Sequence, residues 1–577
     1  MNNTNNAIVD MVTHTHTVAN PVMRGMYPDP SWMWDETRNE IVLVNSSFEL
    51  IPGLPIHVTR DLVSWEHVAD AVNAAMAKRL LIEGVEDSGG LYAPTIRRIR
   101  GQYVIVCTVA RVNEERALAC GCAPEDIEGR RASQGNFVIT APSLEGPWQG
   151  PYWIAGAEGI DPDIFEDSDG TVWWTQTRPA LKPQWEGQTE VWTQPIDPTD
   201  WMLQGCKTVI WRGYGVNAVW AEGPHLYRVG DWVYLMTAEG GTSFEHSEMM
   251  MRTYAPQGFA AALAVFERNI VARDVWIEPA REDEHSVVGR YDRLFEACKK
   301  NPVLTHRHLG NSELIQCVGH ADLLCHPQAG WLLTCLGVRE VPCDEPDELF
   351  SYLGRETFIA PVVWERNPVS WKLESEGPIK QDNDNDPGWP VVAPGLGHLP
   401  EALDIIADDD GELRSVEIAE YTEMNAEPEM IRYDDNRLIG VRGRDGYRFI
   451  RVDEPNYTVL AAPSYALMLH QDSTHAVTLR VQDSRVNVEI TDRGEIAHLE
   501  LDVVAPDEWL GVHLFDNRMQ FLAMRHAAGA DGFSGDAVLI VHGDSTQARV
   551  LGERDARFLS TEWAGGFVGC LAGVECQ

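Results

Sequence analysis

Short runs of β-branched and aromatic residues, paired around polar turns, recur along the first 340 residues of the chain. Five segments share this form: "YPDPSWMWDETRNEIVLVNSS", "LYAPTIRRIRGQYVIVCTV", "IDPDIFEDSDGTVWWTQT", "AEGPHLYRVGDWVYLMTA" and "GHADLLCHPQAGWLLTCLG". Each segment predicts a β-hairpin, because two apolar strands flank a turn rich in Gly, Asp or Arg. In the first segment, the residue that opens the hairpin, Asp29, precedes Ile41 of the second strand by 12 residues. In each of the other four segments the corresponding interval is 11 residues.

A tryptophan follows each hairpin and marks the end of a further predicted strand. These residues are Trp65, Trp148, Trp201, Trp276 and Trp371. Five hairpins, each followed by such a strand, make five similar units of about fifty residues or more, which is typical of a β-propeller. The pattern shows no alternation of strands and helices that would indicate βαβ units. The sequence therefore predicts an all-β fold that begins with a five-bladed β-propeller.

The residues that open the five hairpins are the candidate site. In a propeller the first strand of each blade lines the central channel, so positions far apart in sequence converge there. For Asp29 alone, in "YPDPS", an ordinary turn is the simpler interpretation. Three carboxylic acids among the openers change that interpretation, because burying three like charges costs free energy unless chemistry uses them. The five openers are Asp29, Tyr92 with Ala93, Asp161, Glu222 and His320.

Three carboxyl groups at one point are suited to hydrolysing a glycosidic bond. One acid donates a proton to the leaving oxygen, and a second activates water or attacks directly. A third negative group raises the pKa of its neighbour, which then keeps its proton near neutral pH. Glu222 has the longer side chain and is the better candidate for the acid. A solvated strand end for "EGPH" and a turn for "IDPD" are the alternatives.

Nine ordered segments between residue 20 and about residue 363 resemble glycoside hydrolase family 43, on the β-xylosidase and α-L-arabinofuranosidase branch. They are "NPVMRGMYPDPS", "SSFELIPGLPIHVTRDLVSWE", "GGLYAPTIR", "GIDPDIFEDSDG", "EGPHLYR", "AEGGTSFEHS", "NPVLTHRHL", "GHADLL" and "LGRETFIAPV". The resemblance implies a five-bladed propeller and an inverting mechanism. It makes Asp29 the general base, Glu222 the general acid, and Asp161 the residue that tunes Glu222 and orients the substrate.

The same resemblance implies five substrate-binding residues. Arg355 in "GRET" matches an arginine that binds sugar hydroxyls, and its fixed fork of donors suits that role. Tyr92 stands where many members have Trp. His320 lies where some members hold a calcium ion or its waters; a satisfied core histidine is the alternative. No cofactor is required, and a calcium near His320 is the one candidate metal. The predicted set is Phe48, Tyr92, His320, Arg355 and Phe567.

The pattern changes beyond residue 395, where alternating strands such as "HAVTLRVQDSRVNVEITD" and "AVLIVHGD" predict an antiparallel β-sandwich. It resembles the concanavalin-like jelly roll that accompanies these enzymes, in which a loop Phe narrows the mouth of the site. Phe567 in "GGFVG" matches that residue and implies exo action. The predicted domains are an extension over 1–19, the propeller over 20–395 and the sandwich over 396–577. "DNDNDPGWPVVAPGLG" is a linker and not a calcium loop, because Pro387 replaces the required Gly.

Composition narrows the choice of partner and compartment. The net charge of −42 disfavours nucleic acids and anionic membranes, and it fits a neutral oligosaccharide better. Eleven cysteines without a CxxC pair predict reduced thiols in a cytoplasmic protein. The N-terminus has no signal-peptide pattern, and no segment approaches twenty apolar residues. The family often forms dimers or tetramers. "GFAAALAVF", within a long connection around 254–298, predicts a short helix.

The predicted function is exo-acting, inverting release of xylose from the non-reducing end of β-1,4-xylooligosaccharides, with arabinofuranose from α-L-arabinofuranosides as a second product. One alternative is a retaining five-bladed fructosidase, which should open on Asn-Asp-Pro and carry Arg-Asp-Pro in its second block. The equivalents here are "YPDPS" and "GIDPD". The other alternative is a non-catalytic sugar-binding propeller.

Overall fold

The structure is a computed structural model. It describes residues 13–575 except 216, 272–293, 342–347, 367–385, 420–427, 430–431, 435–437, 506, 526–537 and 543–547. Two of the tryptophans that follow the predicted hairpins, Trp276 and Trp371, lie outside the described residues, as do residues 272–293 of the long connection around 254–298.

Five antiparallel sheets follow one another along the chain, and each begins with one of the predicted hairpins. After β1 (Thr13–Ala19), the first sheet contains β2 (Ser31–Asp35), β3 (Glu40–Val44), β5 (Gly53–Thr59) and β6 (Ser64–Val72), with β4 (Leu50–Ile51) beside it. The second contains β7 (Val85–Ile99), β8 (Gln102–Val112), β9 (Asn136–Ala141) and β10 (Gln149–Trp153). The third contains β11 (Ile160–Glu166), β12 (Val172–Pro179), β13 (Thr189–Asp197), β14 (Met202–Leu203) and β15 (Thr208–Trp211).

The fourth and fifth sheets repeat this plan. The fourth contains β16 (Glu222–Val229), β17 (Trp232–Glu239), β18 (Ser247–Tyr254), β19 (Glu296–Ala297) and β20 (Leu304–Thr305). The fifth contains β21 (Ile315–His326), β22 (Gly330–Arg339), β23 (Glu356–Glu365) and β24 (Trp389–Val392). The first strands of successive sheets contact one another in the order β2, β7, β11, β16 and β21, and β21 contacts β2. The five first strands therefore form a closed ring.

The tryptophans that follow the hairpins begin strands and do not end them. Trp65 is the second residue of β6, Trp148 directly precedes β10, and Trp201 directly precedes β14. The prediction of tryptophan-terminated strands is wrong for these three. Trp65 and Trp201 are buried, and Trp148 packs against a neighbouring apolar cluster. Each of these aromatic side chains thus packs in the apolar interior at the point where the chain enters a strand.

The C-terminal region contains two larger antiparallel sheets that enclose one apolar core, which includes Val459, Leu479 and Phe521. The six-stranded sheet consists of β29 (Tyr447–Arg451), β31 (Leu467–His470), β32 (Ala476–Gln482), β33 (Arg485–Asp492), β34 (Glu495–Val503) and β39 (Leu571–Glu575). The five-stranded sheet consists of β30 (Tyr457–Ala461), β35 (Glu508–Phe515), β36 (Arg518–Arg525), β37 (Val538–His542) and β38 (Arg549–Asp555). The antiparallel strands predicted from the alternating pattern are present.

Several short strands join the C-terminal region to the first five sheets. They are β25 (Ala402–Asp408), β26 (Leu413–Ile418), β27 (Arg432–Asp434) and β28 (Gly440–Val441). β1 pairs with β25, β27 pairs in parallel with β6, and β28 pairs with β4. An apolar cluster shared by Phe48, Ile439, Phe449 and Val568 lies at the same junction. The C-terminal sheets are therefore fixed against the sheet that follows Asp29. The predicted boundaries at residues 19 and 395 stay predictions.

The helices are short and lie between strands. They are α1 (Ala74–Arg79), α2 (Glu114–Ala119), α3 (Pro124–Ser133), α4 (Phe259–Val271) and α5 (Thr561–Ala564), with 3₁₀ turns at Ile82–Gly84 and Arg557–Leu559. Helix α4 confirms the helix predicted from "GFAAALAVF", and it buries Phe259 and Phe266 in the cluster that contains Trp173. Among the described helices, none has the length and apolar character needed to cross a membrane.

Candidate active site

Four of the five first strands bend at a β-bulge near the residues that open the hairpins. The pairing register shifts within the intervals 92–95, 160–163, 222–225 and 319–322. A residue inside each bulge has a left-handed backbone, and Asp29, just before β2, shares that conformation. The φ angles are 49° at Asp29, 40° at Ala93, 56° at Asp161, 54° at Gly223 and 52° at His320. Strained backbone of this kind in non-glycine residues is concentrated at functional sites.

Glu222 differs from the other openers by one position. The residue in its bulge is Gly223, so Glu222 directly precedes the position that Asp161 and His320 occupy in their own sheets. The positive φ favours glycine at position 223, and a Cβ there would lie 3.1 Å from Cε1 of the His320 ring. The prediction that Glu222 is equivalent to Asp161 in the repeat is therefore off by one residue, although the electrostatics couple the two carboxyl groups.

Asp29 is a buried carboxylate surrounded by groups that favour its charge. Arg355 donates from Nη1 to Asp29 Oδ1 over 2.9 Å, and His320 Nδ1 lies 4.0 Å from the same oxygen. Burial acts to raise the pKa of Asp29, but Arg355, His320 and a hydrogen bond from Ser46 outweigh it and hold the pKa below its ordinary value. Asp29 is therefore ionised at neutral pH.

The other two carboxyl groups shift in the opposite direction. Burial, together with the charge of Asp29, raises the pKa of Asp161 despite the opposing effect of His320. The Gly223 N–H donates to Asp161 Oδ2 over 3.2 Å. Burial raises the pKa of Glu222 well above its ordinary value, and the charges of Asp161 and Asp29 raise it further. Of the three acids, Asp29 therefore favours the ionised form and Glu222 favours the protonated form.

Aromatic rings form a wall beside the carboxyl groups. The Phe48 ring centre lies 4.9 Å from that of Tyr92 and 6.4 Å from that of Phe567, and Tyr92 and Phe567 are 6.3 Å apart. The Arg355 guanidinium carbon lies 5.4 Å from the Phe48 ring centre and 5.6 Å from that of Phe567. The structure therefore brings together four of the five predicted binding residues in this wall. The fifth, His320, lies beside Asp29.

Phe567 reaches this wall from the C-terminal region. Its backbone N–H donates to Ser88 Oγ over 2.9 Å, and its carbonyl accepts a hydrogen bond from Arg355 Nη2 over 3.3 Å. Tyr92 donates its hydroxyl proton to the Ser88 carbonyl. A Cβ on Gly566 would lie 2.6 Å from Ser88 Oγ, so only glycine allows this close approach. The loop before β39 is thereby held against the second sheet.

Two residues at the site were not singled out from the sequence. Ser46 accepts a hydrogen bond from the Ala93 N–H over 2.7 Å and also bonds to Asp29, so it ties the first two sheets together. His246 is buried, its Nδ1 lies 2.9 Å from the Cys317 carbonyl oxygen, and burial lowers its pKa to about 4. Both residues lie in quoted family-like segments, but neither opens a hairpin.

The calcium ion near His320 stays a prediction. Calcium takes six to eight oxygen ligands, mainly carboxylates and carbonyls. Asp29, whose Oδ1 lies 4.0 Å from His320 Nδ1, is paired with Arg355, and Asp322 on the same strand is paired with Arg97. Within the described ranges, no cluster of three or more His, Cys, Asp or Glu residues is arranged to hold a metal ion.

Comparisons with known proteins agree with this geometry. Residues 18–262 match the model of "Glycosyl hydrolases family 43", a range that includes Asp29, Asp161 and Glu222. A xylosidase/arabinosidase of Butyrivibrio fibrisolvens is 29% identical over 96% of this chain and 95% of its own length. A non-reducing-end α-L-arabinofuranosidase of Bacteroides ovatus is 30% identical over 63% of this chain and 55% of its own.

Solved structures show the same fold over almost the full length. The crystal structure of xylan β-1,4-xylosidase from Bacillus halodurans superimposes with a TM-score of 0.64 and 19% identity, covering 97% of this chain and 96% of that one. The family match includes the three carboxyl groups, and the likeness extends through the C-terminal sheets. Residues 18–262 therefore match glycoside hydrolase family 43, and the similarity to a xylosidase/arabinosidase extends over nearly the whole chain.

Proposed function

We propose that the protein is an exo-acting, inverting glycoside hydrolase that releases xylose from the non-reducing end of β-1,4-xylooligosaccharides. The observation that carries this proposal is the opposed pKa shifts at one site, lowered for Asp29 and raised well above the ordinary value for Glu222. An inverting glycosidase needs this combination of an ionised base and a protonated acid. In this proposal the five sheets are the blades of a propeller, and the C-terminal sheets form a jelly-roll sandwich.

Each carboxyl group has one role. Asp29 takes a proton from a water molecule, whose oxygen attacks the anomeric carbon. Glu222 gives its proton to the glycosidic oxygen as the bond from that oxygen to the anomeric carbon breaks. Asp161 keeps Glu222 protonated through its charge and orients the sugar. Asp29 gains one proton and Glu222 loses one. The products are one free sugar and a shortened chain.

The aromatic wall supports exo action on a small sugar. Phe48, Tyr92 and Phe567 lie on one side of the carboxyl groups, and a loop from the C-terminal region holds Phe567 there. Arg355 presents its guanidinium between this wall and Asp29, where it would bind sugar hydroxyls. A site covered in this way admits the end of a chain and excludes its middle.

A second activity, release of arabinofuranose from α-L-arabinofuranosides, is favoured by the comparisons. The Butyrivibrio relative is named as a xylosidase and arabinosidase, and the Bacteroides relative as an arabinofuranosidase. Paired assays on nitrophenyl β-xyloside and nitrophenyl α-L-arabinofuranoside measure the balance between the two sugars. Release of nitrophenol from neither substrate would contradict the proposal.

The stereochemistry of the first product tests the mechanism. An inverting site must accommodate water between base and anomeric carbon, with the two carboxyl groups roughly 6.5–9.5 Å apart, against about 5–5.5 Å in a retaining site. Proton NMR of the sugar first released from a β-xyloside should show the α-anomer before mutarotation mixes the two. The β-anomer appearing first would make Asp29 a nucleophile and refute inversion.

Assembly and location complete the proposal. The protein acts on a neutral oligosaccharide in the cytoplasm, without nucleic-acid or membrane partners, and forms a dimer or tetramer. Light scattering coupled to size-exclusion chromatography measures the assembly, and a monomer at micromolar concentration would contradict it.

A further inference from the structure

A second cluster of polar side chains lies on the same five strands, just beyond the bulges. We call it the axial cluster. Asp163, His225 and Asp322 each follow a bulge residue by two positions, and Ser31 follows Asp29 by two. Because alternate residues of a strand face the same side, the axial cluster forms the next layer along the ring. Its members are Ser31 of β2, Arg97 of β7, Asp163 of β11, His225 and Tyr227 of β16, and Asp322 of β21.

Arg97 is the cation of the axial cluster. It donates from Nη1 to Asp322 Oδ2 over 2.9 Å and from Nη2 to Asp322 Oδ1 over 3.0 Å, and Nη2 lies 3.6 Å from Asp163 Oδ1. Both carboxylates are fully buried. Burial acts to raise the pKa of Asp322, but Arg97 outweighs it and lowers the pKa to about 2. A bidentate guanidinium thus binds one buried carboxylate and faces a second.

The other polar contacts of the Asp163 and Asp322 carboxylates are made by neutral hydrogen-bond donors and a histidine. Asp322 Oδ1 accepts from the Tyr227 hydroxyl over 2.7 Å, and Asp322 Oδ2 accepts from the Ser31 hydroxyl over 2.8 Å. Asp163 Oδ1 lies 3.0 Å from His225 Nδ1, and Asp163 Oδ2 accepts from the Leu226 N–H over 3.1 Å. All four carboxylate oxygens are therefore occupied, and a calcium ion would have to displace both the guanidinium and these donors.

We propose that Arg97 takes the place of a divalent cation on the axis and positions the strands that carry Asp161, Glu222 and His320. Its guanidinium joins β7 to β21 and β2 directly and faces Asp163 of β11 and His225 of β16, so one side chain contacts all five first strands. Ser31 and Tyr227 bring β2 and β16 to the same carboxylate of Asp322. The strands that carry the catalytic residues are thus held in place by a positively charged side chain of the protein and not by a bound metal ion. The enzyme requires no divalent metal. This inference does not depend on which sugar is cleaved.

The wild-type protein provides the first test, because the proposal makes a direct statement about metal dependence. Protein dialysed against EDTA should keep its Tm and its kcat, and calorimetric titration with calcium should show no stoichiometric binding. Loss of Tm or activity after EDTA, with recovery on adding calcium, would overturn the proposal. The Tm and calorimetric measurements do not require activity, so they separate this inference from the proposed function.

Removing the guanidinium provides the second test. Arg97→Met should lower Tm by about 10 °C, because removing one partner of a buried ion pair leaves an uncompensated charge. It should also lower kcat by about tenfold or more. Millimolar calcium should restore part of both losses, because the carboxylates of Asp163 and Asp322 become free to bind it. A purely structural arginine would not confer this calcium response.

The matched control is Arg98→Met on the same strand, whose side chain faces Asp35 and Thr37 and not the axis. It should show neither the loss of kcat nor a calcium response. If Arg97→Met does not fold, Arg97→Lys keeps the charge and should fold with a lower Tm and no calcium response. Wild-type Tm and kcat in Arg97→Met, or no recovery with calcium, would overturn the proposal.

Discussion

Both polar layers on the ring of first strands hold buried carboxyl groups, but the direction of the pKa shift differs from one carboxyl group to another. In the catalytic layer, Arg355 contacts Asp29, while the pKa values of Asp161 and Glu222 are raised by burial and by neighbouring negative charge. In the axial cluster, Arg97 binds Asp322 and lowers its pKa to about 2. Burial is common to both layers, so the placement of the cation decides which carboxyl groups keep a proton.

This difference separates the chemistry of the site from its support. A carboxylate that is fully paired and hydrogen-bonded has no reason to exchange a proton, as in Asp322. In the proposed mechanism, a carboxyl group near other negative charges, as in Glu222, holds its proton until it transfers it to the leaving oxygen. The axial cluster is therefore suited to rigidity, and the catalytic layer to proton transfer.

Loss of a reacting carboxyl group should have the largest effect. We expect Asp29→Ala, Asp161→Ala and Glu222→Ala each to lower kcat on xylobiose by about 10²- to 10⁴-fold, because each removes a group used in proton transfer or its tuning. Circular dichroism and Tm should show that the fold is retained. Full activity in any of the three would remove that residue from the mechanism.

The acid assignment has a sharper test within the same series. Activated aryl xylosides have good leaving groups that need little protonation, so Glu222→Ala should lose less activity on them than on xylobiose. The Asp29→Ala variant is the control, since the base is needed for both substrates. Equal losses of kcat/KM on the two substrates for Glu222→Ala would argue against its role as the acid.

The next largest effect is on the free energy of unfolding. Replacing an aspartate by asparagine should lower it in the axial cluster and raise it in the catalytic layer. Asp322→Asn leaves Arg97 without its bidentate partner and should lower the free energy of unfolding by about 3–5 kcal/mol. Asp161→Asn keeps an oxygen for the Gly223 N–H and removes a charge that burial disfavours, so it should raise the free energy of unfolding at neutral pH. Denaturant titrations of both variants measure this contrast, and two losses of similar size would contradict it.

The pH dependence of stability follows from the same shifts. Asp322 has a lowered pKa, so its contribution of about 2 kcal/mol is present above the unfolded value of 3.8 and is lost as pH falls through about 2. Asp161 has a raised pKa, so its ionisation destabilises the fold as pH rises above the unfolded value. Urea midpoints of wild type and Asp322→Asn between pH 2 and pH 7 should converge at the acid end.

A smaller effect should appear in the pH profile of catalysis. The acidic limb of kcat/KM should lie below the ordinary aspartate range, and the basic limb well above the ordinary glutamate range, following the shifts of Asp29 and Glu222. Asp161→Asn removes one charge that raises the pKa of Glu222, so the basic limb of its residual activity should move to lower pH. A basic limb that stays in place would exclude Asp161 as the tuning residue.

The smallest effect should come from the wall of the site. Phe567→Ala should raise KM for xylobiose a few-fold, about 1 kcal/mol of binding, because one ring of the wall is lost. Tyr254→Ala, which removes a half-exposed ring outside this wall, should leave KM unchanged. An unchanged KM in Phe567→Ala would show that the C-terminal region does not contribute to sugar binding.

The sequence predicted much of this architecture because the hairpins are local. Each has a β-branched and aromatic pattern and a constant spacing, so Asp29, Asp161 and His320 could be matched through their sheets. The spacing placed Glu222 one residue off, because the β16–β17 hairpin is one residue shorter than the β11–β12 hairpin: Asp163 pairs with Thr175, whereas His225 pairs with Met236.

The axial cluster and the inner support of the site could not be found in this way. Arg97 lies in "TIRRIRG", where three of seven residues are arginines and nothing local shows which one faces the axis. Ser46 and His246 depend likewise on contacts between sheets. The role of each residue depends on contacts that form only when the five sheets close into a ring. The residue pattern within a single strand contains no information about these contacts.

Ring closure has a consequence for when the enzyme becomes active during its synthesis. The hydrogen bond from Ser31 to Asp322 joins residues 291 positions apart, and Arg355, which pairs with Asp29, is made later still. At about 5–20 residues per second, translation of the intervening chain takes tens of seconds. Until the fifth sheet has emerged and docked, Asp29 lacks its cation. Hydrolysis is therefore among the last properties that a nascent or refolding chain acquires, and recovery of activity should lag behind the formation of the first four sheets.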